Sequence, residues 1–495
     1  MAHTIADLMH RMGLHFGSGG LRAPVETLSD AVAYAFTRAF LDHLRHAGHL
    51  THVRDIAVGG DLRQSSTPLM RAVAAAIADF GAFPINAGRL PAPALAHHAL
   101  EQRSPAILVT GGHLDGHYNG LKFFRADGEA GRSDESGIRQ QSVVLPSSRF
   151  DDQAQMYGGV PLGKVTHEMV QAYEQRLKDF FPRGCLAGWK IGVLEQSTTA
   201  RKPLPHLLEH MGAKVVLLGR TEKFLALDTE SMPAALDGAA AKWVQKNHLD
   251  ALVSADADAD RPLLADDNGR WLRGDHIGML AARYLEADTV YTPYTSTTGV
   301  EASGWFRLVN RTRVASIDLT HDAVRAAADA PGRRIIGFAA HGGIVHGQAL
   351  ERDGRALGPL PSRDGILPTL AILHHAAERH DSIANLAAEL PPRHTDSIRL
   401  DGFEEALIAN LISDYKNQGD AARQQLSAAL NLESTIRRIT TKDGIRGALE
   451  NGDIIHLRPS LNSRSLRIYT EAESPEAARA LRDHVATAIR EGWAD

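Results

Sequence analysis

Residues 55–110 read DIAVGGDLRQSSTPLMRAVAAAIADFGAFPINAGRLPAPALAHHALEQRSPAILVT, and the order of signals in this stretch decides the fold. Asp55 to Val58 is a short apolar strand. An apolar-periodic helix runs from about Pro68 to Phe80 and is stopped by Gly81. A further helix from about Pro93 to Gln102 leads into the strand Ala106 to Thr110. Strand, helix and strand in this spacing predict βαβ units. Just upstream, Ser29 is placed to cap a helix that carries Val32, Phe36, Phe40 and Leu44 on one face and ends near Gly48.

Outward from there the pattern recurs twice. Lys190 to Leu194 reads as a strand, Pro203 to Met211 as a helix ending at Gly212, Lys214 to Leu218 as a strand, and Ala251 to Ser254 as another after a helix containing Trp243. From Gly274 a helix runs to Leu285, then come strands at Thr289 to Thr292 and Arg313 to Ser316. A helix from about Thr320, a strand at Arg334 to Phe338 and a helix after Asp364 follow. No residue-level repeat accompanies this recurrence, so the repetition is architectural. Pro391 and Pro392 interrupt it. Beyond them Ser397 to Leu400, Ile436 to Thr440, Ile454 to Arg458 and Leu466 to Thr470 read as strands, with helices near Glu404 to Ile412 and after Ser474. The polar segments Asp127 to Gly137 and Ser147 to Gly159 read as a loop and an approach to a boundary. The expected fold is α/β: three successive α/β domains, about 1–160, 161–270 and 271–390, then a smaller α+β domain, 391–495.

Composition agrees with several soluble domains. The chain has 495 residues, 43% hydrophobic and 23% charged, which is ordinary for globular protein. Lys and Arg number 54 against 59 Asp and Glu, a formal charge of −5, so no long-range positive field holds a polyanion and nucleic acid is not an expected partner. The single cysteine, Cys185, allows no intrachain disulfide and no cysteine zinc cluster, which favours a reducing compartment. Asp7, His3 and His10 fall where a signal peptide needs an unbroken apolar run, and nowhere do 18 apolar residues follow one another. A cytoplasmic protein with no membrane partner is expected.

The strongest chemical signal is Asp256-Ala-Asp258-Ala-Asp260-Arg261. In an extended chain, residues at i, i+2 and i+4 share one face, so the three carboxylates would converge. Like charges that close need a hard divalent cation to neutralise them. An EF-hand is excluded, because Arg261 stands where the sixth-position glycine is needed; a solvated acidic turn is the plain alternative. Thr110-Gly-Gly-His-Leu-Asp-Gly-His-Tyr-Asn-Gly-Leu-Lys122 follows a strand. Its glycines would let backbone N–H groups approach a phosphate, with Lys122 as cation or proton donor, unless this is only a Gly-rich turn with a solvated lysine. Phe16-Gly-Ser-Gly-Gly-Leu-Arg22 and Arg458-Pro-Ser-Leu-Asn-Ser-Arg464 with Arg467 look like anion cradles, although such arginines are also ordinary surface residues.

Taken together and in this order, these stretches resemble the α-D-phosphohexomutases, most closely the bacterial phosphomannomutase branch, over nearly the whole chain from Phe16 to Tyr469. Val58-Gly-Gly-Asp-Leu-Arg63 is similar to the family's G-x-D-x-R turn and Asp256 to Arg261 to its D-G-D-A-D-R metal loop. Glu195-Gln-Ser-Thr-Thr-Ala-Arg201, Phe224 to Glu230 and Leu360-Pro-Ser-Arg-Asp-Gly365 are similar to stretches of that branch. Arg458-Pro-Ser460, continued by Asn462 and Arg467, resembles the fourth-domain phosphate loop. The resemblance implies four domains around one cleft and magnesium held by Asp256, Asp258 and Asp260. It also implies a hexose phosphate, such as mannose or glucose phosphate, moving its phosphoryl group between the 1- and 6-positions through a phosphoserine. Catalytic positions then fall at Gly112, His113, Lys122, Arg22 and Arg261. Sugar and phosphate contacts fall at His341, Gly342, Arg458, Ser460, Asn462 and Arg467.

Departures from the family pattern cluster where sugar and phosphoryl group should meet. Where the family has T-G-S-H-x-P or T-A-S-H-N-P, this chain has Thr110-Gly111-Gly112-His113-Leu114-Asp115, so Gly112 stands at the nucleophilic serine. The sugar motif G-x-E-A-N-G-G becomes Gly337-Phe-Ala-Ala-His-Gly-Gly343, with Ala339 for glutamate and His341 for asparagine. Leu461 replaces the fourth-domain glycine, and Ser18-Gly19 replaces T-S. Two functions follow as expectations. One is a sugar-phosphate phosphotransferase with another acceptor, His113 or then Asp115, or with a bound bisphosphorylated sugar in place of the enzyme-borne phosphate. The other is a weak or inactive homologue that binds metal and sugar phosphate in a binding or regulatory role.

Overall fold

The computed structural model describes residues 3–17, 19–50, 55–157, 161–230, 234–403, 413, 415, 419–459 and 465–492. The chain forms two compact units. One comprises Met1–Thr292, Phe306–Asn310 and Ala315–Glu389; the other comprises Pro293–Trp305, Arg311–Val314 and Leu390–Asp495.

In the first unit the main sheet runs in the order His15–Gly17, Gly20–Pro24, Tyr118–Arg125, Ala106–Val109, Asp55–Gly60, Phe83–Arg89, with Gly128–Glu129 beside Tyr118–Arg125. Asp55–Gly60 pairs in parallel with both Phe83–Arg89 and Ala106–Val109, the βαβ pairing expected of residues 55–110. Ser29 caps the helix Asp30–His46 by accepting from Val32 N at 3.4 Å. That helix buries Val32, Phe36, Phe40 and Leu44 in the core, where Phe40 packs on Phe123. The helix Ser66–Phe80 ends at Gly81, whose φ of +94° is the left-handed stop that glycine adopts freely.

A four-stranded sheet follows in the order Lys214–Leu218, Lys190–Leu194, Ala251–Ala255, Pro262–Ala265; the first three strands are parallel and the last is antiparallel. A five-stranded sheet runs Leu308–Thr312, Thr289–Pro293, Ile335–Phe338, Ile344–His346, Leu360–Asp364. The fold is thus α/β with several sheets, as the pattern of elements predicts. The second unit holds an antiparallel sheet in the order His394–Asp401, Ser465–Ala472, Ile454–Pro459, Ile445–Leu449, Ile436–Thr440. Helices Asp420–Ala429 and Pro475–Gly492 pack Leu426, Val485 and Ile489 against Leu400, Ile455 and Ile468.

Several elements differ from the expectation. The strand expected at Arg313 to Ser316 lies at Leu308–Thr312, and the helix expected from Thr320 begins at Ser316. Ile317, Leu319, Thr320, Ala323 and Ala327 are all buried, so the apolar face of the helix begins at Ile317, ahead of the expected start at Thr320. Asp127 to Gly137 is not simply a loop: Arg132–Gln140 is a helix, with the Asp134 carboxylate accepting from Gly131 N at 2.7 Å and Ile138 buried. Lys122 belongs to the strand Tyr118–Arg125, not to a Gly-rich turn. The helix expected near Glu404 to Ile412 lies outside the described residues. Among the described residues, no helix is long and apolar enough to cross a membrane.

Candidate functional site

The hairpin between Ala251–Ala255 and Pro262–Ala265 carries the three aspartates on its turn. The turn is tight and not extended, because Ala259 N donates to Asp256 O at 3.1 Å, Asp256 N donates to Arg261 O at 3.0 Å, and Ala259 sits at φ +58°. Convergence of the carboxylates therefore comes from the turn, not from strand alternation. One oxygen from each of Asp256, Asp258 and Asp260 lies within 4.8 Å of the others, and all three residues are buried. Both carboxylate oxygens of Asp258 and Oδ2 of Asp256 are buried with no hydrogen-bond partner. Burial first, and the neighbouring aspartates next, push the Asp256 and Asp258 carboxyls above their usual range. Three convergent hard oxygen donors with unpaired buried atoms fit a divalent cation. Bound there, such a cation would supply electrostatic stabilisation to a negatively charged ligand oxygen.

Asp260 has a different environment. Its Oδ2 pairs with Lys122 Nζ at 2.9 Å and with Arg363 Nη2 at 2.8 Å. Lys122 also bonds Glu129 Oε1 at 2.9 Å, and Ser362 Oγ donates to the same oxygen at 2.7 Å. Burial alone would raise the Glu129 carboxyl; Lys122 and Arg363 overcome it and pull the group down to about 2. Lys122 is therefore not solvated: it is 1% exposed. Arg261 donates to Glu230 Oε1 at 3.3 Å, and its backbone N–H donates to Asp256 Oδ1 at 3.1 Å. Burial pulls the half-buried Arg22 guanidinium below its usual range, and the charges of Asp258 and Asp260 oppose this only in part.

The loop after Ala106–Val109 is strapped from below. Asp61, fully buried, accepts from Thr110 Oγ1 at 3.0 Å and Gly111 N at 3.2 Å and pairs with Arg63. The Arg63 guanidinium in turn donates to the carbonyls of Gly112, at 3.1 Å, and Leu114, and stacks on Phe224 at 4.2 Å. A Cβ at position 111 would lie 2.5 Å from Arg63 Cζ, so a side chain there would force this guanidinium to shift. Gly112, at φ +55°, differs: a Cβ there would meet only Asp258 Oδ1, at 3.8 Å, within 4 Å. Arg63→Ala should destabilise the protein by about 3–5 kcal/mol, because it leaves a buried carboxylate uncompensated. Urea unfolding checks this, and an unchanged midpoint would contradict it.

His113 follows Gly112 and is half-buried, while Asp115 is exposed with Oδ1 accepting from His117 N at 2.8 Å. From the third sheet, the loop with Ala339, His341 and Gly342 packs on the aspartate turn. A Cβ on Gly343 would lie 2.1 Å from Asp260 O, and one on Gly342 would lie 2.8 Å from Pro262 Cγ. Burial first, and Arg261 next, push the imidazoles of His113 and His341 well below their usual range. Thus Gly112, His113, Lys122, Arg22, Arg261, His341, Gly342 and the three aspartates come together in the first unit.

Arg458 and Arg467 belong to the second unit, directly opposite each other on adjacent strands, and Arg458 pairs with Asp443 at 3.2 Å. Ser460, Leu461, Asn462 and Ser18 lie outside the described residues. Site residues that sequence reasoning missed are Glu129 and Arg363. Arg363 lies inside the run Leu360 to Gly365, which carries part of the family resemblance; Glu129 has no local signal.

The three buried carboxylates could hold a divalent cation, and Lys122 and Arg363 lie beside them on sheets of an α/β fold. Residues 13–143 match the family described as phosphoglucomutase/phosphomannomutase, alpha/beta/alpha domain I. The phosphomannomutase of Sinorhizobium fredii (strain NBRC 101917 / NGR234) is 35% identical over 474 residues, covering 95% of this chain and 97% of that protein. That of Salmonella muenchen is 33% identical over 474 residues, covering 95% of each. A phosphoglucomutase/phosphomannomutase family protein from Burkholderia thailandensis shares the fold at a TM-score of 0.73 and 19% identity, covering 96% of this chain and 97% of that one. At a TM-score of 0.59 and 14% identity, so does the Aspergillus fumigatus N-acetylphosphoglucosamine mutase, solved with GlcNAc-6P and magnesium, covering 99% of this chain and 100% of that one. The chain belongs to the phosphoglucomutase/phosphomannomutase family of phosphohexomutases.

Proposed function

We propose that the protein binds a hexose phosphate, mannose phosphate first, beside magnesium held by Asp256, Asp258 and Asp260. We propose further that it turns this ligand over poorly, because residue 112 offers no oxygen to carry a phosphoryl group. One observation carries the reading: the backbone at Gly112 faces Asp258 across open space, where a side chain would point at the cation site, yet glycine supplies none. The names and ligands of the relatives support the ligand class. Ala339, where the family has glutamate, cannot accept a hydrogen bond from a sugar hydroxyl, which further weakens turnover.

A second reading keeps activity through His113. It is favoured over Asp115 as an acceptor because it adjoins the opening and is half-buried, while Asp115 is exposed and already accepts from His117. Intact-mass spectrometry after incubation with a 1,6-bisphosphorylated hexose and magnesium separates the two. An unmodified chain that still binds the bisphosphate in calorimetry is expected. An acid-labile phosphoryl adduct, absent in His113→Ala, would favour the second reading. No binding of any hexose phosphate would contradict both.

A further inference from the structure

Lys122 and Arg363 are held inside the fold by Asp260, at 2.9 and 2.8 Å. Arg261, at the end of the same aspartate turn, is held differently. It is 5% exposed, yet its guanidinium makes one hydrogen bond among the described residues, from Nη1 to Glu230 Oε1 at 3.3 Å. Asp228 Oδ1 lies 3.8 Å from the same nitrogen, and Asp260 Oδ1 lies 4.0 Å from Nε. Its charge also bears on the imidazoles of His113 and His341, so it faces both of the loops that carry them.

The two acidic partners on Nη1 come from the segment Phe224 to Glu230, which follows the edge strand Lys214–Leu218 of the second sheet. This segment is fixed at several points. Leu225 N donates to Ser197 Oγ at 2.8 Å, Leu227 is buried, and Thr229 Oγ1 donates to His341 O at 3.4 Å. Glu230 N donates to Asp228 Oδ1 at 3.1 Å. The carboxylate ends are not buried: the side chains of Asp228 and Glu230 are 43% and 35% exposed. They can leave Arg261 by side-chain rotation, because water takes over their solvation and exposed ion pairs are weak. Together they carry two negative charges, which matches a phosphoryl dianion. A buried guanidinium paired only with carboxylates that water reaches is open to exchange for a ligand's oxygens.

We infer that Asp228 and Glu230 are internal competitors of the ligand: in the arrangement seen here they occupy Arg261, and a phosphoryl group bound at the site takes their place on it. They act against anions whose charge is too small to displace two carboxylates, and so help to select a dianion. The inference rests on the ligand reading above and adds a determinant of its charge selectivity. A prop and a competitor differ in sign. A carboxylate that merely positions Arg261 weakens anion binding when it is removed, whereas a competitor strengthens it. A general change of field would also weaken magnesium; competition for Arg261 changes anion binding alone.

The test is calorimetry with magnesium alone, and with inorganic phosphate at saturating magnesium. Wild type is compared with Glu230→Gln, with the double variant Asp228→Asn/Glu230→Gln, and with Glu222→Gln. Glu222 is 87% exposed and pairs with Arg220 at 3.7 Å, so its variant removes the same charge from the same stretch of chain without touching Arg261. Glu230→Gln should bind phosphate about two- to fivefold more tightly than wild type, the range of one exposed ion pair, and the double variant more tightly still. Magnesium affinity should stay unchanged in both, and Glu222→Gln should match wild type throughout. Unchanged or weaker phosphate binding in Glu230→Gln and the double variant, or equal tightening in Glu222→Gln, would overturn the inference alone. No phosphate binding in any of the four proteins with magnesium present would overturn the ligand reading with it.

Discussion

Asp258→Ala should reduce magnesium affinity by well over 100-fold. Losing even an outer-shell partner costs a metal site about 10- to 100-fold, and Asp258 offers two buried carboxylate oxygens that meet no other donor. Stability should respond in a way that separates a metal ligand from a structural carboxylate. In chelator, the variant should melt no lower than wild type, because it loses an unsatisfied buried charge crowded by Asp260. Added magnesium should raise the melting temperature of wild type, since the cation binds only the folded chain, and leave the variant unmoved. Calorimetry and thermal melts check both parts; unchanged magnesium binding in Asp258→Ala would refute the cation site.

Gly112→Ser should raise mutase turnover, and only partly. Removing a covalent nucleophile costs on the order of 10⁶ in a well-studied hydrolase, so restoring one has a large range to recover. The space around position 112 favours it: a Cβ there meets nothing within 4 Å except Asp258 Oδ1, so a hydroxyl would serve the cation site and the phosphoryl group together. Two effects limit the gain. The backbone at φ +55° strains any residue with a Cβ, by about 1–2 kcal/mol. Ala339 and His341 also remain in the sugar loop. A rise of about 10- to 1,000-fold over wild type in a coupled assay is expected, well short of full restoration. A Gly112→Ser variant that becomes phosphorylated on the introduced hydroxyl yet gains no turnover would place the defect in the sugar loop instead.

Legibility in the sequence followed the range of the interactions. Ser29 with Val32, Phe36, Phe40 and Leu44, or Gly81 behind Phe80, are local devices, and the elements they mark stand where they were expected. The aspartates too were readable as a motif, but not the shape that gathers them. That shape depends on a left-handed Ala259 and on Gly343 and Gly365 from the third sheet packing against the turn. Glu129 was illegible because it lies in a polar, glycine-bearing stretch and takes its meaning from partners far along the chain; Arg363, whose N–H donates to it at 3.3 Å, is 234 residues away. Arg313 to Ser316 misled for the opposite reason: its local composition favoured a strand, while the helix that buries Ile317 and Leu319 begins at Ser316.

On the function proposed above, this site receives a hexose phosphate but has no ordinary place to store a phosphoryl group. The most direct measurement is a coupled assay of mannose 6-phosphate and mannose 1-phosphate interconversion by the wild-type protein, with magnesium and a trace of the 1,6-bisphosphate. A rate near background, from protein that binds the same sugar phosphate in calorimetry, is the predicted result. Robust interconversion that survives both His113→Ala and Asp115→Ala would contradict it.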